Sequence, residues 1–132
     1  MEKRLLDSRE AIELLVNSFY TKVQEDALLG PIFMNAENFQ WDTHIPIMVD
    51  FWETLLLGIV SYKGNAMAKH LELHRRTPLG AAHFEQWKKL FYGTLDDLFE
   101  GPGVILAKKR VEATSGLMQY KINESEKKGF IQ

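Results

Sequence analysis

The sequence predicts an all-α fold, and three observations carry that prediction. Apolar residues recur three and four positions apart in every long segment. Glycine and proline cluster between those segments, at Gly30-Pro31, Gly64-Asn65, Pro78-Leu79-Gly80 and Gly101-Pro102-Gly103. No stretch shows the convincing period-two alternation of a half-buried strand.

A first helix is expected from about Ser8 to Glu25. Asp7 can cap it, with Glu10 three residues on, close to a capping box. Ile12, Leu15, Phe19 and Val23 form one stripe, which Val16 and Tyr20 widen. A second helix is expected from about Thr43 to Val60, capped by Asp42 or Thr43. Pro46 then falls in the first turn, where its missing N–H does no harm. Met48, Phe51, Trp52, Leu55, Leu56 and Ile59 make its broad apolar face. A short helix, Ala66 to His74, follows a polar loop. A helix from Ala82 to Phe99 then turns Phe84, Trp87, Leu90, Phe91 and Leu95 inward. The last helix, Val104 to Ile122, carries Leu106, Val111, Leu117 and Tyr120, and leaves Asn123 to Gln132 as a polar, frayed tail.

Composition narrows the function classes. The chain has 132 residues, which fits one domain over residues 1–132 with room for one mid-sized ligand in its core. The net charge of -2, from 16 basic and 18 acidic residues, argues against a nucleic-acid partner, which calls for a basic face. The absence of cysteine excludes disulfides, cysteine–zinc sites, iron–sulfur clusters and thiol catalysis. The opening MEKRLLDSREAIELL scatters charge through its apolar residues, unlike a secretory signal. The longest apolar run, Leu55 to Val60, is far too short to cross a bilayer. The expectation is a cytoplasmic protein with no membrane partner.

Four histidines are the candidates for chemistry: His44, His70, His74 and His83. His44 shares a helical face with Met48, Phe51 and Leu55, so a polar ring borders an apolar wall. Spacing alone reads it equally well as a half-exposed residue near a cap. His70 lies on the short helix, facing two apolar helices. That setting suits a metal or haem-iron ligand, although pattern alone favours a surface histidine. His70 and His74 are four apart, a spacing able to chelate zinc, but no HExxH is present to complete such a site. Tyr20 and Trp87 each carry a polar tip that wants a partner when buried: either the surface or one shared ligand.

Ordered pieces along almost the whole chain resemble the group III truncated haemoglobins. They are Ser18-Phe19-Tyr20 with Lys22-Val23, Leu29-Gly30-Pro31-Ile32-Phe33, and Trp41-Asp42-Thr43-His44. Then follow Phe51-Trp52-Glu53-Thr54-Leu55-Leu56-Leu57-Gly58, Lys69-His70-Leu71-Glu72-Leu73, His83-Phe84-Glu85-Gln86-Trp87 and Leu90-Phe91. The glycine-pair motifs of the other truncated groups are absent.

The resemblance implies a two-over-two sandwich of helices around one haem b, iron protoporphyrin IX. It implies His70 as the proximal iron ligand, with its second ring nitrogen donating to a backbone carbonyl. It places Tyr20 and Trp87 as donors to a bound gas (O2, NO or CO) and His44 near the mouth, as a gate or third polar group. Phe33, Met48, Phe51, Trp52 and Leu55 would pack the haem, and Arg75, Arg76 and Lys69 would pair with its propionates. Two donors imply slow O2 release, and hence O2, NO or peroxide chemistry served by an unidentified reductase, more than storage. The alternatives are a haem-free helical sensor or interaction module, and a zinc hydrolase built on His70 and His74.

Overall fold

The computed structural model describes residues 2–34, 40–76 and 78–128. In chain order the elements are β1 (Arg4–Leu5), α1 (Arg9–Glu25), α2 (Gly30–Met34), α3 (Trp41–Leu57), α4 (Ala66–Arg76), α5 (Ala81–Leu98), β2 (Phe99–Glu100) and α6 (Pro102–Lys128). Four long helices form the two-over-two sandwich. The pair α1 and α3 lies over the pair α5 and α6, with α1 also against α5 and α3 against α6. No described helix is long and apolar enough to cross a membrane.

α1 starts one residue later than a cap at Asp7 would place it. Ser8 is extended, and its Oγ accepts the Ala11 N–H at 3.2 Å, so Ser8 is the cap. The stripe Ile12, Leu15, Val16, Phe19, Tyr20 and Val23 is buried as expected. The corner after it is built on Asp26. Its carboxylate accepts the N–H groups of Leu28 and Leu29 at 3.0 and 2.8 Å and the Gln86 amide of α5 at 2.6 Å. The turn expected at Gly30-Pro31 is instead the single-turn helix α2. Proline suits an early helical position because it lacks only an N–H that has no helical partner there.

α3 begins at Trp41, two residues before the expected start. Pro46 is therefore its sixth residue and lies beyond the first turn, where its missing N–H removes one rung of the helix ladder. The helix stops at Leu57, short of Val60, because Gly58 takes the left-handed conformation (φ 73°) that favours glycine. Ile59 thus leaves the apolar face and is 52% exposed. The following loop folds back on α3: Thr54 Oγ1 accepts the N–H groups of Ser61 and Tyr62 at 3.2 and 3.0 Å. Arg9 bridges Asp50 and the buried Glu53, both at 2.9 Å, and Ser61 Oγ donates to Glu53 at 2.7 Å. A carboxylate that would be costly to bury alone is thereby satisfied.

Two further elements differ from expectation. Phe99 does not end α5 but begins β2, which pairs in parallel with β1 and holds the N-terminal residues in the α5–α6 corner. α6 runs on to Lys128, so the tail expected to fray from Asn123 is helical as far as it is described. Its buried face is Val104, Ala107, Val111, Ser115, Met118 and Ile122, while Leu117 and Tyr120, expected inward, are 52% and 58% exposed. The spacing of three and four through Ala107 and Ser115 fixes that face, and small residues on it carry little hydropathy signal.

Candidate functional site

The site begins where α1, α2 and α3 converge. Tyr20 is buried at the inner edge of α1, and the His44 ring meets it edge to face at 5.0 Å between centroids. Phe33 of α2 packs on both, at 6.0 and 5.7 Å. Trp87 on α5 is one ring removed. It touches Phe19 at 5.0 Å, and Phe19 touches Tyr20 at 4.8 Å. Tyr20 and His44 are thus in direct contact, and Trp87 is joined to them through Phe19.

His70 lies on α4, within electrostatic reach of His44. Its Nδ1 lies 2.7 Å from the carbonyl oxygen of Ala66, one turn earlier. A carbonyl can only accept, so Nδ1 carries the hydrogen, and the neutral ring keeps its lone pair on Nε2. Burial pushes the His70 pKa down, against the upward pull of the Ala66 bond, so the ring is held neutral. Burial also depresses His44, to about 4, and the proximity of the second titratable ring, His70, adds to the effect. The two imidazoles, from α3 and α4, therefore stand within electrostatic reach of each other. Burial pushes the Tyr20 phenol well above its ordinary value, so it stays protonated and able to donate.

Met48, Phe51 and Leu55 on α3, Leu71 and Leu73 on α4, and Phe84, Trp87 and Leu90 on α5 are half-buried against the core. The backbone of α4 packs against α6, and among the described residues no comparable contact joins it to α3 or α5. Trp52 is turned more deeply inward than its neighbours, stacked on Phe91 at 4.9 Å. The side chains of Arg75 and Arg76 lie outside the described part of the structure.

The other two histidines serve the backbone. His74 Nδ1 accepts the Leu79 N–H at 2.8 Å, and His83 Nδ1 accepts the Gly80 N–H at 3.0 Å at the start of α5. Among the described residues, no cluster of three or more histidine, aspartate or glutamate side chains is placed to hold a metal ion. Two participants were missed as site residues in the sequence. Trp41 was visible only as a motif residue, and the Ala66 carbonyl has no side-chain signal beyond its place four residues before His70.

This arrangement defines a small all-helical globin of the two-over-two kind. No family model matches the chain. It is 37% identical over 112 residues to the group 3 truncated haemoglobin ctb of Campylobacter jejuni, covering 81% of this chain and 86% of that one. The crystal structure of group III truncated haemoglobin from Campylobacter jejuni superposes with a TM-score of 0.82 at 31% identity, covering 92% of this chain and 95% of that one. The truncated haemoglobin of Tetrahymena pyriformis gives 0.64 at 28% identity, over 80% and 86% of the two chains. The fold is shared with the 2/2 haemoglobin of Synechococcus sp. PCC 7002, a structure with covalently attached haem, at a TM-score of 0.73 and 22% identity over 89% and 93%. The chain belongs to the group III truncated haemoglobins, a family of haem-binding globins.

The residues present fit haem on their own chemistry. A neutral imidazole with Nε2 free and Nδ1 held by a carbonyl is a single axial donor of fixed orientation. The half-buried apolar side chains of α3, α4 and α5 suit the faces of a macrocycle.

Proposed function

We propose that residues 1–132 form one cytoplasmic globin domain that binds haem b, with His70 as the proximal iron ligand. The observation that carries this reading is the His70–Ala66 hydrogen bond, which leaves Nε2 as the coordinating atom. Haem would supply an iron at which O2, NO or CO binds reversibly and at which O2, NO or peroxide can be reduced or oxidised. Ala66 holds the His70 ring in one tautomer and sets its basicity. Phe33, Met48, Phe51 and Leu55, with Trp52 behind them, exclude water and pack the macrocycle. Arg75, Arg76 and Lys69 are the candidates to pair with the propionates.

Tyr20 and Trp87 act as donors toward the gas, and His44 stands at the mouth as a neutral polar group. In a dry chamber, each bond to a partly charged acceptor contributes roughly 1.5–3 kcal/mol. Two such donors favour tight O2 binding and slow release, which suits redox chemistry with a reductase partner better than storage.

The absorbance spectrum of the purified protein tests this reading. A Soret band, lost or shifted to a different ferrous form in His70→Ala, is the expected result. A colourless protein that takes up no added haem would remove it in favour of a haem-free sensor or interaction module.

A further inference from the structure

Trp41 opens α3 and stands three residues before His44. Side chains on a helix lean back toward its N-terminus, so the His44 ring lies over the turn that Trp41 occupies. The Trp41 ring packs on Phe33 at 5.0 Å, on Tyr20 at 5.4 Å and on His44 at 6.0 Å. Tyr20 and Phe33 also meet His44 and each other. Every pairing among the four rings is therefore made, so the position of each ring bears on the other three. Tyr20 is buried on α1, whereas Trp41 and His44 are half-buried. Rotation of His44 away from this cluster would break its contacts with Tyr20, Phe33 and Trp41.

We infer that Trp41 is a positioning residue whose indole latches the His44 imidazole inside the chamber, against Tyr20, and so limits how fast a diatomic ligand enters. This rests on reading the Tyr20–His44 side of the interior as the ligand side of a haem. The latch works through shape. A large flat ring at position 41 blocks the outward rotamer at position 44, and a smaller side chain there would let the imidazole swing toward solvent.

The test uses the haem-loaded protein with carbon monoxide as probe, comparing wild type, Trp41→Ala, Trp41→Phe, His44→Ala and the double variant Trp41→Ala/His44→Ala. Flash photolysis reads CO association, and the infrared C–O stretch reads the polar groups beside the ligand. Losing one ring contact on His44 should speed CO association about three- to tenfold in Trp41→Ala. The C–O band should split into two populations as His44 samples both positions. Trp41→Phe, which keeps an aromatic ring, should stay within about twofold of wild type. In the His44→Ala background, Trp41→Ala should add nothing, because the latch then has nothing to hold. Trp41→Leu carries the same expectation should Trp41→Ala fail to fold. An unchanged association rate in Trp41→Ala, or an equal acceleration with and without His44, overturns the latch. Failure of the wild type to form a CO complex overturns the haem reading instead.

Discussion

The rings of Tyr20 and His44 meet at 85° with centroids 5.0 Å apart, joining the inner edge of α1 to the first turns of α3. Burial governs the protonation of both. It keeps the phenol of Tyr20 protonated and the imidazole of His44 neutral. The pair therefore brings a donor and a second polar ring to one place without any formal charge. A partly negative diatomic ligand is best served by such a donor, because a full charge buried there would be costly to desolvate.

Removing the Tyr20 hydroxyl alone should isolate that donor. Tyr20→Phe keeps the ring and its packing on Phe19, Phe33 and Trp41. In the haem-loaded protein, O2 dissociation followed by stopped flow should accelerate roughly ten- to a hundredfold, the equivalent of one hydrogen bond to a partly charged acceptor. Fast release from the wild type, unaffected by the substitution, would show that Tyr20 does not hold the gas.

The depressed His44 pKa makes a prediction about acid stability whose sign is fixed. The folded chain takes up this proton only near pH 4, whereas the unfolded chain takes it up near 6.5. Between those values the unfolded state binds more protons, so stability falls as pH falls. Above the upper value both states are neutral and the group contributes nothing. The full shift corresponds to a loss of at most about 3 kcal/mol, reduced in practice because the ring is only half-buried. His44→Phe preserves a ring in the cluster and removes the titration. Urea unfolding across this window should show a shallower loss of stability in His44→Phe than in wild type. Parallel pH profiles would mean that His44 titrates normally in the fold.

Much of this was readable from the chain, for identifiable reasons. The α1 stripe survives because six large apolar residues at helical spacing leave one way to face a core. What escaped the sequence depends on groups without strong hydropathy. The inward face of α6 runs through Ala107 and Ser115, so the larger Leu117 and Tyr120 pointed the wrong way. The end of α3 turned on the left-handed Gly58, which looks in the sequence like one more small residue in an apolar run. In the site, the titratable and aromatic candidates were visible, but the Ala66 carbonyl and the Trp41 packing exist only once the helices are placed. The β1–β2 pairing was invisible because two residues per strand carry no period.

That pairing is also the part of the fold most exposed to a single methyl group. Residues 4–6 run beside the junction of α5 and α6, with Arg4 opposite Phe99 and Leu5 opposite Glu100. Gly103 allows the approach, because a Cβ there would lie 2.4 Å from the Leu6 carbonyl oxygen, and backbone must move to admit it. Leu6 is itself buried, so its shift disturbs the core beneath it. Gly103→Ala should therefore destabilise the protein by about 1–3 kcal/mol, as overpacking does. The loss should be local first: amide exchange at Phe99 and Glu100 should quicken, and proteases should reach the N-terminal residues. Gly58→Ala is the natural contrast. Nothing lies within 4 Å of a Cβ at that position, so only the left-handed backbone is strained, at about 1 kcal/mol. Its effect should fall on the end of α3 and leave the N-terminal amides unchanged. If Gly103→Ala matched wild type in thermal unfolding and in exchange at Phe99, the N-terminal strand would be yielding freely and could not be a clamp on the α5–α6 corner.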